Sequence, residues 1–82
     1  MSLDDLIALM ERFVSGDAAS LADANRLESG LLEHAVTDPS LEDLADDFAQ
    51  YSPVGGELLF DFARMKPRVA HYLDALKARS SQ

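Results

Sequence analysis

Apolar residues at the start of the chain recur three or four residues apart, the spacing that places them on one face of an α-helix. Ser2, followed three residues later by an acid, has the pattern of a helix N-cap. Gly16 stands where a left-handed residue commonly ends a helix. We therefore predict a first helix over residues 3–15. Its apolar stripe holds Leu3, Leu6, Ile7, Met10, Phe13 and Val14.

A second helix is predicted over residues 19–36. Either Asp17 or Ser20 caps its start, and Ser20 with Asp23 has the spacing of a capping box. The segment Thr37-Asp38-Pro39-Ser40 breaks the helical pattern. The face that we expect to be buried holds Leu21, Ala24, Leu27, Leu31, Leu32 and Ala35.

A third helix is predicted over residues 40–51. Ser40 with Asp43 repeats the N-cap pattern of the earlier helices. The residues expected to face inward are Leu41, Leu44, Ala45 and Phe48. The next five residues are predicted to form a loop, because proline fixes one backbone angle and paired glycines permit positive φ. They are Ser52-Pro53-Val54-Gly55-Gly56.

The chain after this loop is harder to assign. Leu58-Leu59-Phe60 suits either a short extended piece or the start of a helix. From Phe62 a helical stripe continues straight through Pro67. Proline is tolerated in a first helical turn but costs about 3 kcal/mol deep inside a helix, because it removes a backbone donor.

The last helix therefore has two possible starts. It begins at Asp61, with the proline kinking an early turn, or at Lys66, and in either case it runs to about Ala78. Residues 79–82 are expected to be a disordered tail. Four amphipathic helices with short loops predict an all-α fold, since each helix must bury its stripe on another. We expect one domain over residues 1–82, a small compact antiparallel four-helix bundle with a short irregular or extended segment before the last helix.

Charge is distributed very unevenly along the chain. Residues 1–61 carry two basic and fourteen acidic residues, a formal charge of −12, whereas residues 62–82 carry five basic residues and one acid, a charge of +4. The sum is −8. This field favours a basic partner at the acidic part and disfavours nucleic acid there. Such asymmetry bears on partners and not on the fold.

Composition narrows the chemistry further. The chain has no cysteine, which excludes disulfides, thiolate metal sites and cysteine nucleophiles. No apolar run is long enough to span a membrane, and the start of the chain is acidic where a signal peptide would be basic. We therefore expect a cytoplasmic protein without membrane contact.

The best candidate site is the predicted third helix, where four acids share the face opposite the buried one. They are Glu42, Asp43, Asp46 and Asp47. We interpret them as a surface presented to a basic partner, with Tyr51 either exposed as an anchor at its edge or packed into the core at the end of the helix. The alternative is a solvated helix face whose first turn is acidic because of the helix dipole. Asp46 and Asp47 lie beyond that turn, where the dipole gains little.

Other chemistries are poorly supported. Carboxylates on one helix face cannot wrap a calcium ion, so no metal or cofactor is expected. His34 and His71 lie outside any spaced ligand motif and are expected to be surface or boundary residues. We predict no enzymatic activity. Five basic residues are too few for a nucleic-acid site, and we expect them to pair with acids inside the fold. They are Arg64, Lys66, Arg68, Lys77 and Arg79.

The order of segments resembles a known family. It runs from Leu-Ile-Ala-Leu-Met-Glu-Arg-Phe-Val-Ser-Gly at 6–16 through an acidic helix ending in Asp-Phe-Ala-Gln-Tyr-Ser-Pro at 47–53, then a loop and a closing helix over 69–76. This order resembles the small helical bacteriocin immunity proteins, most nearly the colicin D immunity type. The resemblance implies a cytoplasmic inhibitor that fills the basic cleft of a nuclease toxin with carboxylates. The four acids named above come from the helix-face argument and not from the resemblance.

Two functions therefore stand side by side. The first is an acidic inhibitor of the immunity or antitoxin type, which occludes one basic protein. The second is a helical module that associates with itself by pairing its acidic body with its basic closing helix. We expect the chain to be a monomer or a weak homodimer. Salt dependence and oligomeric state distinguish the two.

Overall fold

A computed structural model of the chain describes residues 1–51 and 61–80. These residues form four helices, α1 (Leu3–Ser15), α2 (Leu21–Ala35), α3 (Ser40–Ala49) and α4 (Phe62–Ser80). The predicted all-α four-helix bundle is confirmed. The loop at 52–56 and the segment at 58–60, predicted to be irregular or extended, lie outside the described residues.

The helices pack in a ring in chain order. α1 packs on α2 and α4, and α3 packs on the same two helices. Helices that follow one another in the chain run antiparallel, as the contacts near their ends show. The amino group of Met1 lies 2.9 Å from Glu33 at the end of α2, and the Tyr51 hydroxyl after α3 reaches Ala19 before α2. Between α3 and α4, Arg68 contacts the later acid Asp47, whereas Arg79 contacts the residue Asp38 that precedes α3.

Local capping begins the first two helices. The Ser2 hydroxyl accepts the backbone N–H of Asp5 at 3.1 Å and starts α1. Ser20, and not Asp17, caps α2, with a complete capping box shared with Asp23. The capping box explains why α2 begins at Leu21, two residues later than predicted.

Gly16 ends α1 in the left-handed conformation, with φ at 90°. We expect Gly16→Ala to lower the free energy of unfolding by about 1–2 kcal/mol, because a Cβ atom is strained at positive φ. Gly16→Asn is the matched control and is expected to cost less, since asparagine adopts this conformation more readily. Urea unfolding of the two variants measures the difference. No neighbouring atom lies close enough to clash with the new methyl group, so backbone strain is the expected cause of the loss. Equal stability of the wild type and Gly16→Ala would contradict this account.

The start of α3 differs from the prediction. Ser40 does not cap the helix; its hydroxyl donates to Asp38 Oδ1 at 2.7 Å, and Pro39 takes the N-cap position without a side-chain hydrogen bond. The turn before α3 satisfies its own donors, as the backbone N–H of Leu41 bonds to the carbonyl oxygen of Asp38 at 3.1 Å. The helix ends at Ala49, two residues before the predicted end.

α4 follows the first of the two possible readings. It begins at Phe62, because Asp61 Oδ1 accepts the backbone N–H of Arg64 at 2.9 Å, and Pro67 is its sixth residue. The predicted tail is wrong for residues 79 and 80, which belong to α4. Ion pairs of Arg79 and Lys77 with earlier parts of the chain hold the last turns in place. Residues 81 and 82 lie outside the described part.

Phe13 lies at the centre of the core and is fully buried. Its ring centroid is 5.3 Å from that of Phe48 and 5.4 Å from those of Tyr51 and Phe62. These distances are typical of favourable aromatic pairs. Phe13 and Phe48 belong to helices that are not ring neighbours, so the aromatic cluster fills the middle of the bundle.

Two residues of the predicted buried face of α2 lie in solvent. Leu21 is 53% exposed and Leu32 is 47% exposed, whereas Ala24, Leu27 and Leu31 are buried. The apolar stripe of α2 is wide, so the pattern alone is compatible with Leu21 and Leu32 facing either the core or the solvent. The structure covers only the part of that stripe that meets α1 and α3.

Candidate functional site

Helix α3 presents its acids because its other face is fully used by the core. Leu41, Leu44, Ala45 and Phe48 are buried, which turns the remaining positions toward solvent. Glu42, Asp43 and Asp46 are exposed, and Asp47 is half-buried. We call these four residues the acidic face. The structure thus brings the predicted acids together on one rigid helix.

Asp47 is partly neutralised within the chain. Its Oδ2 accepts a hydrogen bond from the Arg68 guanidinium at 3.0 Å, across the contact between α3 and α4. Lys77 pairs in the same way with Glu11 at 3.1 Å, and Arg79 pairs with Asp38. The prediction that basic residues of the last helix pair with acids inside the fold is confirmed for these three. The remaining three carboxylates of the acidic face stay open to a partner.

Of the two arrangements that the sequence allowed for Tyr51, the structure has the buried one. The residue is only 4% exposed, and its hydroxyl donates to the carbonyl oxygen of Ala19 at 2.6 Å. Its ring packs edge-on against Phe13 and Phe48. Burial, and then the charge of Asp61, raise the pKa of Tyr51. Tyr51 therefore ties the end of α3 to the start of α2 and is not a surface anchor.

Tyr72 of α4, and not Tyr51, is the tyrosine that lies beside the acids of α3. It is half-buried, and burial followed by the charges of Asp43 and Asp47 raises its pKa. The tyrosine lies one helical turn after Arg68, which already contacts Asp47. Leu73, the next residue, is buried in the core, and Tyr72 packs against it from the boundary.

A pocket of about 230 Å³ opens next to the acidic face, between α3 and α4. Ser40 and His71 both line it, but the Ser40 hydroxyl donates to Asp38. The His71 ring packs edge-on against Tyr72, with centroids 5.7 Å apart. Ser40 therefore donates its proton to a carboxylate and not to the imidazole, which is not the arrangement of an activated nucleophile.

Asp38 connects this pocket to the end of α4. The hydrogen bond from Ser40, together with the Arg79 guanidinium, holds the pKa of the Asp38 carboxyl below its ordinary value, although burial opposes this. The lowered pKa means that the ionised carboxylate is favoured in the folded protein. Its contribution to stability is therefore present above the pKa of the unfolded chain and is lost as the pH falls through the folded pKa.

We expect Asp38→Asn to lower the free energy of unfolding by about 0.5–1 kcal/mol near neutral pH, since the arginine partner is half exposed to solvent. The difference from the wild type is expected to shrink as the pH falls below about 4. Urea unfolding over this pH range measures it. Ser40→Ala removes the donor itself and should reproduce part of the loss. A difference that stays constant with pH would show that Asp38 does not act through its charge.

The two histidines lie where the sequence placed them, at the surface or its boundary. His34 Nε2 lies 2.9 Å from the carbonyl oxygen of Met1, and His71 is exposed on α4. Within residues 1–51 and 61–80, no group of three or more His, Asp or Glu side chains is arranged to hold a metal ion.

Comparisons of the chain with protein-family models, curated proteins and solved structures found no match in any of the three. None of the helices in the described part of the chain combines the length and apolar character that crossing a bilayer requires. The surface of the molecule is therefore the feature that indicates a function. Its main features are the three open carboxylates of α3 and the chain's net charge of −8.

Proposed function

We propose that this chain is an acidic protein-binding module that inhibits a basic protein by occluding its surface. The observation that carries the proposal is the exposure of Glu42, Asp43 and Asp46 together on α3. Like charges one turn apart on a helix repel each other by a few tenths of a kcal/mol. A cationic partner removes that repulsion and gains from each carboxylate.

Internal ion pairs compensate most of the positive charge of the closing helix. Arg68, Lys77 and Arg79 each contact an acid of their own chain. Their charges are therefore partly compensated before any partner approaches. The same pairs weaken the alternative of self-association, because that model needs the cations of α4 to reach the acids of a second copy.

A nuclease is the partner class that best fits this chemistry. A nuclease cleft is positive because it holds phosphate, and carboxylates on a rigid helix offer the same charge as the substrate backbone. The proposed mechanism is occlusion, in which the acidic face covers the cleft and no bond is made or broken. The order of segments that resembles the colicin D immunity type supports the same proposal.

A pull-down from a lysate of the source cells, with this chain as bait, tests the proposal. We expect one basic protein to be retained at low salt and weakened at high salt, because exposed charges are screened by ions. The recovered protein is then assayed for nuclease activity with and without the bait, and inhibition is expected. Recovery of the bait alone, with a dimer by light scattering, would replace the inhibitor by the self-associating module.

A further inference from the structure

Helix α2 and the residue after it expose three apolar side chains on one side, with the polar residues Asn25 and Glu28 between the first two. Leu21 is 53% exposed, Leu32 is 47% exposed, and Val36, just after the helix, is 85% exposed. Eleven residues make about three helical turns, so Leu21 and Leu32 share one side of α2. We call Leu21, Leu32 and Val36 the apolar strip. It is about 22 Å long, since each helical residue adds about 1.5 Å.

The apolar strip lies on the side of α2 away from α1. Gly30 of α2 faces α1, because a Cβ atom there would lie 3.1 Å from Leu6 Cδ1. Leu32 is turned about 160° from Gly30 around the helix axis. Since the other ring neighbour of α2 is α3, the apolar strip lies along the outer edge of the α2–α3 contact.

The acidic face meets the same edge from α3. Asp47 points toward α4, where it contacts Arg68. Glu42 is turned about 140° from Asp47, toward the α2 side, and Asp46 lies between the two, on the outer side of α3. Because α2 and α3 are antiparallel, Val36 lies at the end of α2 nearest Glu42. The apolar strip of α2 and an acidic row of Glu42 and Asp46 on α3 therefore lie on adjoining parts of the outer surface.

We propose that the apolar strip and the acidic face together bind one amphipathic helix of the basic partner, with its apolar side on α2 and its cationic side on α3. This inference rests on the proposed function and adds the form of the partner. The acidic row requires cations beside the apolar residues, and the length of the strip matches about 15 helical residues. A second copy of the chain does not supply this chemistry, because it brings the same acids and a net charge of −8.

The test uses a fluorescein-labelled peptide of about 18 residues, long enough to cover the strip. Its leucines recur at helical spacing on one side, and lysines fill the other. The control peptide has the same composition in a scrambled order without an apolar side. Fluorescence anisotropy measures the binding of both peptides to the wild-type chain, to Leu32→Ser/Val36→Ser, and to Ala8→Ser/Ala78→Ser. The last variant is the matched control, because Ala8 and Ala78 are exposed on other helices.

We expect the wild type and the control variant to prefer the amphipathic peptide about tenfold or more over the scrambled one. Leu32→Ser/Val36→Ser is expected to lose that preference while keeping its circular dichroism spectrum. Equal, salt-sensitive binding of both peptides would overturn the inference and leave the proposed function intact. Absence of binding by either peptide would count against the proposed function itself. A wild-type dimer that becomes a monomer in Leu32→Ser/Val36→Ser would assign the strip to a second copy.

Discussion

Phe13→Ala is expected to lower the free energy of unfolding by about 3–5 kcal/mol. The ring is fully buried and contacts the rings of Phe48, Tyr51 and Phe62. Its removal leaves a cavity where residues from different helices meet, and no exposed side chain can fill it. Domains of this size have a total stability of roughly 0.05–0.15 kcal/mol per residue. The variant is therefore expected to lose a large part of its folded population.

Urea unfolding followed by far-ultraviolet circular dichroism measures this loss. The control is Leu21→Ala, which removes a side chain that is 53% exposed and should change stability by less than about 0.5 kcal/mol. The thermal midpoint of Phe13→Ala should fall by roughly 4–8 °C for each kcal/mol lost. A loss below about 1 kcal/mol would mean that Phe13 is not the centre of the core.

Reversing two charges on the acidic face is expected to weaken binding of the basic partner by about 2 kcal/mol or more, a factor of about 30. The variant is Asp43→Lys/Asp46→Lys, which changes carboxylates exposed on the middle of the proposed interface. Each replacement removes an attraction and adds a repulsion against the same cation. A lysine at position 43 is one turn from Asp47, and that favourable pair offsets part of the cost of placing a cation in the first turn of the helix.

The matched control is Asp17→Lys/Asp74→Lys, which reverses two exposed acids outside α3. Each double variant adds four charges to the wild-type −8 and has a net charge of −4. Isothermal titration calorimetry with the partner recovered by pull-down compares them. Equal losses in the two variants would show that net charge alone drives binding. An unchanged affinity of Asp43→Lys/Asp46→Lys would exclude the acidic face as the contact surface.

The acidic face was predictable because its cause is local. Alternation of buried and charged positions within ten residues of α3 decides which side chains share a side of the helix. Tyr51 and Tyr72 were not predictable in this way. Each lies at a helix boundary or at the edge of a stripe, where one tyrosine can either pack inward or reach water.

Pro67 illustrates a different limit. The sequence left open whether the last helix begins before or near this proline, because the local pattern suits both. In the structure the helix begins before the proline, at Phe62, because the Asp61 side chain accepts the backbone N–H of Arg64. Proline then falls in the second turn, where the helical register of Met65 and Val69 keeps both residues in the core.

The sequence by itself determined both ends of α1, offered Ser20 as one of two caps for α2, and determined which residues of α3 face outward. Ser2, Ser20 and Gly16 act within three or four residues of their own position, so their effect can be read without knowing the neighbours. Only the tertiary structure decided that Leu32 stays in solvent, that Tyr51 is buried and that Arg68 takes up Asp47. Each of these outcomes depends on which helix packs on which side, and a periodic pattern does not contain that information because it describes one helix at a time.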